Sequence, residues 1–224
     1  MRLLAVETST LAGGVALLDG DRLRGEYLLD VTVTHSERLM PAIDRLLGDA
    51  GWPPESLEAL AVAVGPGSFT GLRIGLAAVK GLALALGLPI AAVPTLDAMA
   101  ETLPFAAMPV CPVLDARKGE VYSCLYRWEG AGMRRDWDYV ALAPDALAAR
   151  LTEPAILLGD GASLIRSPHA RLAPPHRRGP SPAAVGVLGR ARLAAGQTAR
   201  AAELVPIYLR PSEAELKRGG LPRH

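Results

Sequence analysis

The sequence predicts an α/β protein built from two tandem β-β-β-α-β-type units, and three observations carry that prediction. Short apolar runs bounded by turn residues open the chain, helical spacing follows them, and near Pro109 the same succession starts again. Residues 3–6 form an apolar strand that ends in the polar turn Glu7-Thr8-Ser9-Thr10. Residues 13–18 form a second strand, Asp19-Gly20-Asp21 signals a hairpin, and a third strand runs through Tyr27. Leu39, Ile43, Leu46 and Leu47 then recur at helical spacing and stop near Gly48 and Gly51. An apolar strand at 60–64 runs into a glycine-rich loop, a helix at 72–86 closes at Gly87, and a strand at 88–93 leads to a helix at 95–103. After the restart come strands at 110–114, 120–127 and 136–142, a helix at 144–151, a strand at 155–159 and a helix at 182–195. The expected division is a first lobe at 1–105, a smaller, degenerate lobe at 106–210 and a flexible tail at 211–224.

Composition narrows the function. Half of the 224 residues are hydrophobic and 21% are charged, the balance of a folded globular chain. A net charge of +1 excludes a nucleic-acid surface spread over the whole molecule and leaves room for a local basic patch. The basic, proline-rich stretch 174–182 is one candidate for contact with nucleic acid, although its simplest role is a solvated loop. Cys111 and Cys124 fall in strand segments outside any C-x-x-C pair, so buried free thiols are expected. The chain opens directly on a strand pattern, and its most apolar run, 74–93, is interrupted by Lys80, Gly87 and Pro89. A cytoplasmic protein without a membrane span is the expectation.

Three features bear on chemistry. The turn Thr8, Ser9 and Thr10, with Gly13 and Gly14 behind it, offers hydroxyls and amides to a phosphate, but read alone it is better explained as a polar β-turn. The loop Gly65-Pro66-Gly67-Ser68-Phe69-Thr70-Gly71 sits between a buried strand and a helix. It can cradle an anion at the helix N-terminus or serve as a tight turn whose glycines permit close packing; both readings stay open. The helix at 72–86 carries only Arg73 and Lys80 as charges, so it is apolar on more sides than one sheet can cover. Metal-ligand spacing is missing among His35, His169, His176 and His224.

Four collinear segments carry a family resemblance: residues 4–10 (LAVETST), 65–75 (GPGSFTGLRIG), 115–122 (DARKGEVY) and 206–210 (PIYLR). On them the chain resembles the TsaB (YeaZ-like) family. The resemblance implies an actin/Hsp70-like ATPase (ASKHA) fold and a pseudo-enzyme role in threonylcarbamoyladenosine formation. Such an accessory subunit supports threonylcarbamoyl transfer to the adenosine next to the anticodon of tRNAs reading codons that begin with A. It implies a TsaD-like catalytic subunit and a TsaE-like ATPase as partners, a homodimer when alone, and tRNA reached only through the complex. The sibling TsaD family binds metal through an H-M-E-x-H segment; Thr95 and Met99 stand at the two histidine positions here, and neither replaces an imidazole. No catalytic residue, metal or resident cofactor is therefore expected, beyond weak ATP or ADP binding in a cleft formed by Thr8, Ser9, Thr10, Gly65, Gly67, Gly159 and Gly161. The expected partner face combines Leu39, Ile43 and Leu46 of one helix with Leu72, Ala77, Lys80 and Ala85 of the other. Two enzyme readings stand as alternatives: a glycoprotease-like peptidase, and a small-molecule kinase with Asp115 as its acid.

Overall fold

The computed structural model describes residues 1–30 and 35–210. The first sheet comprises β1 (Arg2–Glu7), β2 (Ala12–Asp19), β3 (Arg22–Asp30), β4 (Ala59–Ala63) and β5 (Ile90–Val93), in the order β3-β2-β1-β4-β5. β1 pairs antiparallel with β2 and parallel with β4, which pairs parallel with β5. The crossovers are α1 (His35–Ala50) and α2 (Phe69–Leu86), as the apolar spacing predicts.

Side-chain size sorts the two faces of this sheet. Leu4, Val6, Val15, Leu17, Leu60 and Val62 point to α1 and α2, which return Leu39, Ile43, Leu46, Leu72, Leu76 and Val79 to one core. On the opposite face lie Ala5, Ala16, Ala59, Ala61 and Ala91. These small residues admit α5 (Pro182–Ala194) at close range. A Cβ at Gly186 would overlap Leu18, and one at Gly189 would overlap the Ala61 methyl.

The second sheet follows the order β10-β7-β6-β11-β12, built from β6 (Val110–Arg117), β7 (Glu120–Ser123), β10 (Val140–Leu142), β11 (Ala155–Leu158) and β12 (Ala170–Leu172). A hairpin of β8 (Tyr126–Glu129) and β9 (Gly132–Arg135) leaves the edge of β6. One face is covered by α4 (Pro144–Arg150) through Leu147, and the other by α3 (Thr95–Ala100) through Leu96, Met99 and Ala100. Cys111 and Cys124 are free, and burial pushes their thiols up to about 12 and about 11.

The structure departs from the sequence reading in three places. The expected strands 120–127 and 136–142 are instead two short strands, β7 and β10, plus the β8–β9 hairpin: the first expected strand is interrupted between Ser123 and Tyr126, and Gly130, at φ 59°, turns the chain back from β8 into β9. The helices are exchanged between units: α3 packs on the second sheet and α5 on the first. The segment after α5 also returns to the first lobe, where Ala199 bridges Ile90, the Ile207 amide donates to Val64 O at 2.7 Å, and Leu204 is buried. A division at residue 105 is thus crossed by packing in both directions. The expected flexible tail, 211–224, lies outside the described residues.

Candidate functional site

The glycine loop and the first turn meet directly. Ser68 donates its amide to Ser9 O at 2.6 Å, and its Oγ caps α2 by accepting from the Gly71 amide at 3.2 Å. Thr8 Oγ1 donates to Gly71 O at 2.8 Å. A Cβ at Gly67 would overlap Ser9 O, one at Gly71 would overlap Thr8 O, and one at Gly75 would overlap Thr8 Oγ1. Between the two readings left open for this loop, these contacts identify close packing of backbone on backbone as the work of its glycines. The Ser68 and Gly71 amides already have acceptors.

Gly159 and Gly161 follow β11 and pack against residues 113–115 of β6. Gly159, at φ 105°, would place a Cβ on Val113 O, and one at Gly161 would lie 2.9 Å from the Asp115 amide nitrogen. Between them Asp160 accepts from the Asp115 amide at 2.9 Å; burial raises its carboxyl above the usual aspartate value, partly offset by that hydrogen bond. Asp115 itself is held by Arg117, whose amide donates to Oδ1 at 2.7 Å.

Helix α3 ties the two glycine segments together through Thr95 and Met99. Thr95 is fully buried; its Oγ1 accepts from the Gly65 amide at 3.2 Å, and its own amide donates to Gly65 O at 2.9 Å. Met99, also fully buried, brings its Cε against Gly159. Both are packing residues with committed surroundings. Among the described residues no group of three or more His, Cys, Asp or Glu side chains is placed to hold a metal ion.

Glu7, at the end of β1, has no solvent exposure. Burial pushes its carboxyl up to about 7, against a smaller opposing effect of hydrogen bonds from Ser9, whose amide lies 2.5 Å from Oε1. Between the ordinary carboxylate value of 4.5 and about 7, the unfolded chain has lost this proton and the folded chain retains it. The contribution to stability is therefore full below 4.5 and lost as pH rises through 7, by about 3 kcal/mol at most. Glu7→Gln is expected to flatten the pH dependence of denaturant midpoints between pH 5 and 8 (roughly this window) and to be relatively most stabilising at the alkaline end. A parallel pH profile in the variant would refute this assignment.

The expected partner face divides when placed on the fold. Leu39, Ile43, Leu46 and Leu72 are consumed by the core beneath α1 and α2, which corrects their assignment to a docking surface. Ala77 and Ala85 are exposed, Lys80 is half-buried, and Gly81 and Leu84, the latter 77% exposed, lie beside them. At the N-terminal end of α2 the chain covers itself: Tyr208 stacks on Phe69, and its hydroxyl accepts from Arg73 Nε at 3.0 Å. By length and composition, α2 is the one helix among the described residues able to cross a membrane; here it lies along the first sheet.

Sequence reasoning missed a polar cluster around Asp97, which accepts from Tyr126 at 2.7 Å and from Tyr139 at 2.6 Å and faces Arg192 at 3.6 Å. These residues lie far apart in the chain, and no local motif marks them.

Comparison with known proteins follows this geometry. Residues 30–157 match the family model described as TsaD, tRNA N6-adenosine threonylcarbamoyltransferase. The chain is 33% identical over 227 residues to the tRNA threonylcarbamoyladenosine biosynthesis protein TsaB of Bacillus subtilis strain 168, covering 97% of each. It is 38% identical over 135 residues to the Escherichia coli K12 protein of the same name, covering 59% of this chain and 58% of the relative. Among solved structures it is similar to YeaZ from Pseudomonas aeruginosa, with a TM-score of 0.82, 31% identity and coverage of 93% and 99%. A second Pseudomonas aeruginosa structure, described as an uncharacterized protein with similarity to peptidase YeaZ, gives a TM-score of 0.81 at 30% identity, with coverage of 93% and 99%. The two-sheet architecture is the actin/Hsp70-like fold that the resemblance implies. With agreement along nearly its whole length in both sequence and structure, the chain belongs to the TsaB/YeaZ family.

Proposed function

We propose that this chain acts in the cytoplasm as the non-catalytic partner subunit in threonylcarbamoyl transfer to tRNA. It docks a TsaD-like catalytic subunit and works together with a TsaE-like ATPase, and it reaches tRNA through that complex. The observation that carries the reading is the fate of Thr95 and Met99. Both positions are filled by fully buried side chains that join α3 to the glycine segments, one by hydrogen bonds to Gly65 and one by packing on Gly159. A site so occupied supports a scaffold in preference to a catalyst. The exposed small-residue stretch of α2 supports docking, because Ala77, Gly81 and Ala85 let another helix approach closely.

Reconstitution tests it. This chain with threonylcarbamoyl-adenylate and tRNA is expected to give no modified adenosine, and activity is expected only after the TsaD-like and TsaE-like proteins are both added. Modification by this chain as the sole protein would overturn the reading. The peptidase reading is kept in view by the description of one similar structure, and hydrolysis of unstructured peptides by the purified chain would favour it.

A further inference from the structure

A cleft of about 700 Å³ opens between α3, α5 and one face of the β8–β9 hairpin. Its volume lies within the range of small-molecule sites. Three guanidinium groups line it, from Arg135, Arg190 and Arg192, against the two carboxylates of Asp97 and Glu101. Asp97 is already the acceptor for both tyrosines, and its ion pair with Arg192 is a loose one at 3.6 Å. Burial and the adjacent Asp97 carboxylate push both phenols up, so each stays a donor to Asp97. Arg135 lies 4.5 Å over the Tyr139 ring, with no carboxylate bonded to it among the described residues. Arg190 bonds Asp21 through Nη1, while its Nε is buried and has no partner among the described residues. With the Asp21 carboxylate on Arg190, cations and carboxylates around the cleft balance in number, and guanidinium N–H capacity is left over at Arg135 and at Arg190 Nε.

The remaining walls are apolar and aromatic. Met133, Val187 and Leu188 contribute aliphatic surface. Met133 pairs across the hairpin with Trp128, whose ring packs 4.7 Å from Phe105, so an aromatic pair continues the hairpin face that lines the cleft. Spare guanidinium donors suit a phosphate, and the apolar side chains of Met133, Val187 and Leu188 suit the face of a planar ring.

From this we infer that the cleft binds a nucleotide unit, its phosphate held by Arg135 and Arg192 and its base against the Met133 side. The unit is either a free nucleotide or an unpaired nucleotide within an RNA strand, which present the same two groups. The inference rests on the cleft alone and stands whether or not the chain acts as a scaffold.

The test is a binding titration on the full chain with two probes, AMP and a short single-stranded RNA lacking terminal phosphates. The variants are Arg135→Gln, which removes a cation, and Ala191→Trp, which fills the cleft from an exposed position of α5. Saturable binding of at least one probe is expected, weakened roughly tenfold or more by either variant. Binding of AMP identifies the free nucleotide as the source, and binding of the RNA alone identifies a strand. Should Arg135→Gln fail to fold, Ala191→Trp decides the matter. Absence of binding by both probes, or binding that the folded variants leave unchanged, overturns the proposal.

Discussion

Replacing Ala77 with Glu is expected to leave the chain folded and to abolish its pairing with a TsaD-like subunit. It should equally abolish pairing with a second copy of the chain wherever the isolated protein self-associates. Ala77 is exposed on α2, one turn from Gly81, and Leu84 beyond it stands 77% exposed. In the free chain a carboxylate here meets water and costs little. At the centre of a packed interface it is buried without a partner, at a cost of several kcal/mol, or roughly a hundredfold or more in affinity. Ala85→Glu and Leu84→Glu place the same charge farther along the helix, and Lys80→Glu reverses the helix's half-buried cation. Melting temperature identifies the folded variants; gel filtration and pull-down read their association. Normal pairing by every folded variant would put the interface elsewhere. Leu72 is no substitute for these positions, since a charge in the core beneath α2 would unfold the lobe.

The second large effect belongs to the fold. Gly71→Val is expected to destabilise the protein by about 4 kcal/mol, because even the first atom of a side chain there would overlap the carbonyl oxygen of Thr8. Backbone from β1 and from the start of α2 meet at that point, and neither can retreat without losing the Thr8 hydroxyl's bond to Gly71 O and the Ser68 amide's bond to Ser9 O. The melting temperature should fall by about 10 °C. Gly81→Ala is the control on the same helix. No atom lies within 4 Å of its built Cβ, so the change is expected to stabilise by about 1 kcal/mol through helix propensity alone. Equal melting of the two variants would show that residue 71 tolerates a side chain and that the loop's glycines are not there for packing.

What the sequence revealed follows the range of the interactions involved. The first lobe was legible because each of its elements carries its own local signal, from the continuous apolar run of β2 to the three- and four-residue spacing of Leu39, Ile43 and Leu46. The glycine loop announced an unusual backbone path. Its purpose was hidden, because the atoms that forbid a side chain at Gly67 and Gly71 belong to Ser9 and Thr8, some sixty residues earlier. The partner face was half legible: apolarity all round α2 signalled two covered sides, but only the fold separates Leu72, under the helix, from Ala77, on top of it. The cleft around Asp97 left no trace, since its tyrosines and arginines come from a hairpin, the connection before β10 and a helix that no local pattern brings to α3.

The exchange of α3 and α5 between the sheets has a consequence for how the molecule is made. A ribosome delivers β1 to β5 first, yet the alanine face of that sheet stays open to water until residues 182–194 emerge, and Val64 waits for the Ile207 amide. Neither half can mature ahead of the other, so the nascent chain holds an uncovered sheet through most of its synthesis. Closure then depends on contacts of long sequence separation, which places this protein among slow folders. Apart from Leu3, Leu18 and Val93, the face that waits longest is lined by alanine, a residue with little apolar surface to offer a wrong partner during the delay.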